Sequence, residues 1–459
     1  MNLLPIANSS PAANGGPIAP AAAAATAVPR SLRTNISWSF LGMAGYAASQ
    51  WGMLVVLARL TSPGIVGQFT ISLALTGPIL LLAGLDLRIV QAADATRRFA
   101  FSDYFGLRLI VALLAFAIVT VLSVALGYES SIASVIVAMG LAKSLELQSD
   151  AFHGLFQQRE RMDLFARSLL ARGAVSLSLF AAAMILTQSL TVGVAALAAS
   201  TLIVLFWCDV PNAIQFLPGG CSGLLSSPVA PRRLARLFVV ALPAGLRTFL
   251  LSLENSLPYL YLQQYHGDSA VGSFAALIYS LVVVQTFARS LNQPAIPRLA
   301  VLSLRGDAAG FYRLLGRLCA LGAVLGGAGL IAVIGGGRLF LMLAYGQTYA
   351  DQYPIFVILM VSCAIRLVGL PLAAALAALN CFTTLFVTQI VTVVLLCCFS
   401  TALVPRHGLY GAAYATCLVS VVMLVGHAAF AAVWLPVHLK RQTEPVRLVT
   451  PQERLPSAA

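Results

Sequence analysis

The chain has 459 residues, 59% of them hydrophobic and only 9% charged, with a mean hydropathy of +0.91 and a net charge of +13. A soluble domain carries about 25% charged residues, so this composition excludes a soluble enzyme or scaffold and points to burial in lipid, whose tails demand no polar coverage. The positive balance does not read as nucleic-acid binding, because no basic patch with interleaved aromatics stands on a polar domain; arginine flanking apolar spans serves topology and anionic headgroups instead.

Residues 1–29, rich in Ala and Pro, read as a disordered tail. The Ala21–Ala25 run is too short for a signal-peptide core and no positive residue precedes it, so translocation is expected to start with the first true span. A span needs about 20 apolar residues. Twelve stretches qualify: 36–57, 65–85, 107–127, 131–150, 169–188, 191–210, 236–262, 270–291, 315–335, 354–376, 382–404 and 408–434. The uncharged 173–208 and 367–405 stretches are too long for one span each, and turns are predicted at Thr187-Gln188-Ser189 and at Asn380. Gly42, Gly45, Ser49 and Gly52 lay small residues along one face of the first span, a pattern of close helix packing.

The 28 lysines and arginines cluster in every second gap between spans. With the N-terminus inside, 21 of them fall on the cytoplasmic side, Arg108 and Arg172 included. Only Arg59, Arg338 and Arg406 fall outside. That asymmetry places both termini in the cytoplasm. The Asp86–Asp103 segment, with Arg88, Asp94, Arg97 and Arg98, reads as an interfacial helix or solvated loop.

The chain also repeats itself. Val66-Gly67-Gln68-Phe69, opening the second span, recurs as Val271-Gly272-Ser273-Phe274, opening the eighth. Gly193 with Ala195-Ala196 is echoed by Gly411 with Ala412-Ala413, at an offset of 218 against 205 for the first pair. Six spans repeated by six in the same orientation predict two lobes about a central cleft. The boundaries are an N-lobe at 30–210, a cytoplasmic linker at 211–231, a C-lobe at 232–434 and a cytoplasmic tail at 435–459.

Several helix-end motifs carry a resemblance. Arg33-Thr34-Asn35-Ile36-Ser37-Trp38-Ser39-Phe40 leads into a Gly- and Ala-rich span, followed by Ala58-Arg59-Leu60-Thr61-Ser62-Pro63-Gly64-Ile65-Val66-Gly67-Gln68-Phe69 and then Ala83-Gly84-Leu85. Further on stand Ala344-Tyr345-Gly346-Gln347-Thr348-Tyr349 and Gly408-Leu409-Tyr410-Gly411-Ala412-Ala413. The chain over about 30–435 resembles the polysaccharide (Wzx-type) flippases of the multidrug/oligosaccharidyl-lipid/polysaccharide exporter superfamily. The resemblance implies an all-α, MATE-like transporter fold of about twelve helices in the bacterial inner membrane. It also implies alternating-access flipping of an undecaprenyl-diphosphate-linked oligosaccharide for surface polysaccharide. The partners it implies are that lipid-linked cargo, membrane lipids and other polysaccharide-assembly proteins.

Four basic residues remain within spans: Lys143, Arg247, Arg289 and Arg366. A mid-bilayer charge costs at least about 2.5–3.5 kcal/mol, so such residues usually face a cavity. Arg289, near a span end, reads as snorkelling. Arg247 and Arg366 are candidates for holding a diphosphate, which a guanidinium fork binds in bidentate fashion; the competing reading pairs them structurally with a buried acid. Glu254 shares a helix face with Arg247, but roughly 10.5 Å along the axis keeps the two from touching. Lys143 is a weaker third candidate and forms a self-neutralising pair with Glu146 in the alternative reading. Glu254 and Glu146 are the candidate coupling acids. Pro243, Gly245 and Pro258 suit either a bent gate helix or plain packing.

Two rival functions differ in what they require. A cation-coupled drug exporter of the same superfamily is expected to carry an acid in its first span, and 34–58 holds no charge. A membrane enzyme of polysaccharide assembly needs a large outer loop or an intramembrane histidine; the longest outer loop is predicted at 336–353, and His427 is the only histidine placed well inside a predicted span. The eight cysteines include no CxxC pair, and neither metal nor cofactor is expected.

Overall fold

The computed structural model describes residues 32–94, 98–217, 220, 230–292, 295–379 and 381–443. The expected N-terminal tail, nearly all of the inter-lobe linker from residue 218 on, the Asn380 turn, Cys221 and the Arg289 side chain lie outside the described residues. The architecture is all-α and polytopic. In chain order the helices of the first half are α1 (Leu32–Leu60), α2 (Pro63–Gly84), α3 (Leu87–Ala93), α4 (Phe101–Ala125), α5 (Ser130–Gln158), α6 (Met162–Thr187) and α7 (Leu190–Val204). Helix α7 continues through a π turn at Leu205–Asp209 into α8 (Val210–Ile214). The second half comprises α9 (Pro231–Asn292), α10 (Ala295–Leu304), α11 (Ala308–Ala344), α12 (Gln347–Ala350), α13 (Tyr353–Ala378) and α14 (Phe382–Thr443).

Ten helices among the described residues are long and apolar enough to cross a membrane. Two of these, α9 and α14, are 62-residue runs broken by a single non-helical glycine each. Gly267 (φ 79°) and Gly408 (φ 55°) adopt backbone conformations open to a residue without Cβ, and each divides its run into two membrane-length pieces. Twelve apolar segments therefore match the twelve predicted spans. At the predicted Thr187-Gln188-Ser189 turn α6 ends on a left-handed Gln188 (φ 52°) before α7 begins.

Two connections differ from expectation. The stretch from 292 to 308 holds helix α10 rather than a plain loop. The predicted 336–353 loop is largely helix, because α11 runs on to Ala344 and α13 starts at Tyr353; α11 continues through Gly335-Gly336-Gly337, where Gly337 lies close against Tyr353 and Phe356 of α13.

The small-residue face of α1 packs on α6: a Cβ on Gly42 would lie 2.7 Å from the Ala166 Cα, and one on Gly45 would collide with Leu170. The repeated Val-Gly motifs pack on each other. A Cβ on Gly67 would strike the Asp268 carbonyl, and one on Gly272 would strike the Pro63 carbonyl. Around this junction Val66, Phe69, Val271 and Phe274 belong to the largest apolar cluster, which also includes Leu54 and Leu57 of α1 and Leu341 of α11. The cluster sits at the far end of the molecule, away from the terminal end, where α1 begins at Leu32 and α14 stops at Thr443.

Candidate functional site

Between the halves lies a cavity of about 550 Å³. Tyr46 and Gln50 of α1, Lys143 and Glu146 of α5, Glu254 and Tyr279 of α9, and Arg366 of α13 all contribute to its wall. Its charged lining is two cations against two anions, and each cation is paired.

Arg366 donates through Nη2 to Glu254 Oε1 at 2.6 Å and through Nε to Ser420 Oγ at 2.9 Å. The second oxygen of Glu254 accepts from Gln389 Nε2 at 2.7 Å, so α9, α13 and α14 are tied through one carboxylate. Glu254 is nearly sealed, with a side chain 4% exposed against 27% for Arg366. Across the cavity Lys143 Nζ lies 2.7 Å from Glu146 Oε2, one helical turn along α5. Tyr46 donates its hydroxyl to the other Glu146 oxygen at 2.8 Å. Lys143 thus forms its self-neutralising pair with Glu146 and Arg366 is paired with a buried acid, so among the described residues the cavity wall has no unpaired cation.

Arg247 is not among the residues lining this cavity. It is exposed, about two turns from Glu254 toward the terminal end, and close enough to Asp86 for the two charges to interact. The expectation that Arg247 projects into the same cleft as Arg366 is not met at this cavity: Arg247 stands seven residues along α9 from Glu254, the partner of Arg366.

Behind Glu146 runs a buried polar network that sequence reading missed. Arg172 Nη1 lies 3.7 Å from Glu146, and its other terminus lies 3.7 Å from Asp209 and donates to Ser149. Asp209, fully buried at the π turn, accepts from Ser149 and Ser168. Ser168 also meets His153 Nε2 at 2.8 Å, and His153 Nδ1 lies 3.3 Å from Asp150. Arg108 Nη1, 3.9 Å from Asp150, donates to the Leu147 carbonyl at 2.7 Å. Arg108 and Arg172 are thus interior, 1% and 3% exposed, and not part of a solvated basic gap. His153 is likewise buried inside α5, so His427 is not the only intramembrane histidine. The available signal was the 3-4-3 spacing of Lys143, Glu146, Asp150 and His153, which puts all four on one helix face; ending the span at residue 150 hid it.

The far end of the cavity is closed by contacts between the halves. Trp51 of α1 donates across to the Tyr345 hydroxyl at 2.8 Å, and Ser280, in the same half as Tyr345, donates to that oxygen at 3.1 Å. Tyr128 donates to Gln263 Oε1 at 2.9 Å. Arg59 reaches from α1 to the last carbonyls of α11, with Nε 3.0 Å from Ala344 O and Nη2 3.1 Å from Met342 O. A cation at a helix C-terminus satisfies orphan carbonyls and opposes the helix dipole, which accounts for an arginine at an otherwise charge-poor end.

The fold and this inter-half cavity define the class: an all-α, multi-pass membrane protein of MATE-like architecture. The chain is similar over 88% of its length to a structure titled lipid II flippase MurJ in an inward closed conformation, at a TM-score of 0.65 and 9% identity, covering 89% of that chain. It is also similar to the MATE multidrug transporter DinF-BH (TM-score 0.64, 14% identity, 89% and 96% of the two chains). A relative in sequence is a Staphylococcus aureus protein described as capsular polysaccharide biosynthesis protein CapF. It is 23% identical over 399 residues, spanning 86% of this chain and 98% of that one. No protein-family model matches the sequence. The similarity to that relative therefore extends over most of the chain.

Proposed function

We propose that the protein flips a lipid-diphosphate-linked oligosaccharide from the inner to the outer leaflet of a bacterial cytoplasmic membrane, with both termini cytoplasmic and the two halves rocking as lobes. The observation that carries this reading is the cavity between the halves, closed at the far end and furnished with two ion pairs. Its volume falls in the range of small-ligand sites and suits a polar head while an isoprenoid tail stays in lipid. The sequence similarity to CapF supports a sugar cargo over a drug, and the likeness to a lipid II flippase supports one linked to lipid.

The pairing revises how a diphosphate would be held. With Lys143 and Arg366 already neutralised, capture is an exchange of partners. Arg366 has five N–H donors; one meets Glu254 and one meets Ser420, leaving a fork to engage phosphate before the carboxylate is displaced. Glu254 and Glu146 are the groups whose protonation would release the two cations to the cargo and whose ionisation would draw them back. Arg247, exposed two turns toward the terminal end, supplies an approach charge on the same helix face.

Depleting the protein and measuring the leaflet distribution of lipid-linked units tests the function. Accumulation on the cytoplasmic face is expected; normal surface polysaccharide with raised drug sensitivity would transfer the assignment to the drug-exporter alternative.

A further inference from the structure

The terminal end carries a second cavity, of about 960 Å³, that shares no lining residue with the central one. Two of its arginines come from the first half: Arg98, just before α4, and Arg159, at the end of α5. The other two, Arg233 and Arg236, stand in the first turns of α9 in the second half. The lining holds four guanidinium groups and one carboxylate, Asp94, so three positive charges are in excess whatever Asp94 pairs with. Asp94 also braces the loop, accepting from the Arg98 and Phe99 backbone N–H groups at 3.1 and 3.2 Å. Arg159 is held over the Phe216 ring, 5.8 Å from its centroid.

The remainder of the wall is apolar and open. Ile89 is 54% exposed and Val240 57%, and Val240 continues into Phe238 and Val239, also exposed, on the outer surface of α9. A cavity with guanidinium groups at the level of the helix ends and bare aliphatic side chains on its membrane side has the polarity of a phospholipid. A free phosphate would leave the apolar wall uncovered.

We propose that this groove binds an anionic phospholipid of the surrounding leaflet, its phosphate on the four arginines and its chains along Ile89 and Val240, and that the bound lipid clasps the two halves together at the terminal end. Because the cations come from both halves, the lipid binds most tightly to the arrangement in which they converge. By linkage, anionic lipid then favours that arrangement. The segment that sequence reading left as an interfacial helix or solvated loop becomes one wall of this site. The inference stands whatever the transported cargo is.

The test uses full-length protein in phosphatidylcholine nanodiscs with a graded fraction of phosphatidylglycerol, counting retained lipids by native mass spectrometry. R233Q/R236Q should weaken phosphatidylglycerol retention roughly thirtyfold, at two juxtamembrane charges removed, while R233K/R236K keeps most of it. R313Q/R317Q, which removes two exposed arginines from α11 outside the groove, should leave retention unchanged. Undiminished retention in R233Q/R236Q, or an equal loss in R313Q/R317Q, overturns the site. Displacement of phosphatidylglycerol by millimolar inorganic pyrophosphate would reassign it to a soluble anion. Stoichiometric displacement by a polyprenyl diphosphate at equal mole fraction would reassign it to the cargo.

Discussion

Arg366 and Glu254 meet at 2.6 Å across the wall of the cavity, one on α13 and the other on α9. The contact joins a part-exposed cation to a sealed anion, so the two ends of the pair have different fates when a ligand arrives. The guanidinium can turn to the cavity; the carboxylate has nowhere to go but to Gln389.

A double-mutant cycle separates binding from support. Arg366→Ala leaves Glu254 buried without a counter-charge, at a cost of about 3–5 kcal/mol, and Glu254→Gln in the same chain should restore most of the lost thermal stability. Transport should stay abolished in the restored double variant, because the phosphate ligand is still missing. Recovery of transport together with stability, at equal membrane abundance, would make Arg366 a structural residue.

Arg247 calls for a charge test, not a stability test. It is exposed and interacts with Asp86 without a close ion pair among the described residues, so Arg247→Ala should unfold at close to the wild-type temperature while transport falls at least tenfold. Arg247→Lys keeps the point charge but loses the planar fork, and an intermediate rate is expected. Wild-type transport in Arg247→Ala would remove it from the pathway.

What was legible beforehand follows from what each level of physics imposes on sequence. Span count and the α6–α7 turn could be read because lipid demands long apolar runs and the polar Thr187-Gln188-Ser189 breaks one of them. Glu254 and Arg366 stood out as charges amid apolar residues, yet their union could not, since they lie 112 positions apart. Arg172 and Arg108 were misread for a different reason: a charge near the end of an apolar run looks the same in sequence whether it snorkels or turns inward. Only the convergence of α5, α6 and the π turn on Asp209 decides between these.

That convergence has a measurable consequence. Arg172→Ala deprives Asp209, fully buried, of its nearest cation, and a loss of about 3–5 kcal/mol is expected. A drop in melting temperature should accompany it. Asp209→Asn, which keeps the acceptor for the two serine hydroxyls, should be milder, and an Arg172→Ala protein as stable as wild type would show the network to be dispensable.

Orientation is testable at single sites. Cysteines replacing Arg159 and Arg233, which line one groove, should both be shielded from an impermeant thiol reagent in intact cells, and cysteines replacing Arg338 and Arg406 should react with it. Opposite labelling of Arg159 and Arg233 would defeat the topology with both termini inside.

The junction of Gly67 with Asp268 and of Gly272 with Pro63 is main chain against main chain. Side chains that interdigitate must leave their rotamers before two helices can turn past each other; bare backbone has none to reset. If the halves rock as proposed, a contact of this sort would act as a bearing, staying closed while the helices swing about it, and the work of any large motion would fall on surfaces further from the axis. The duplicated Val-Gly motif would then have a mechanical meaning: each half supplies one face of the same pivot.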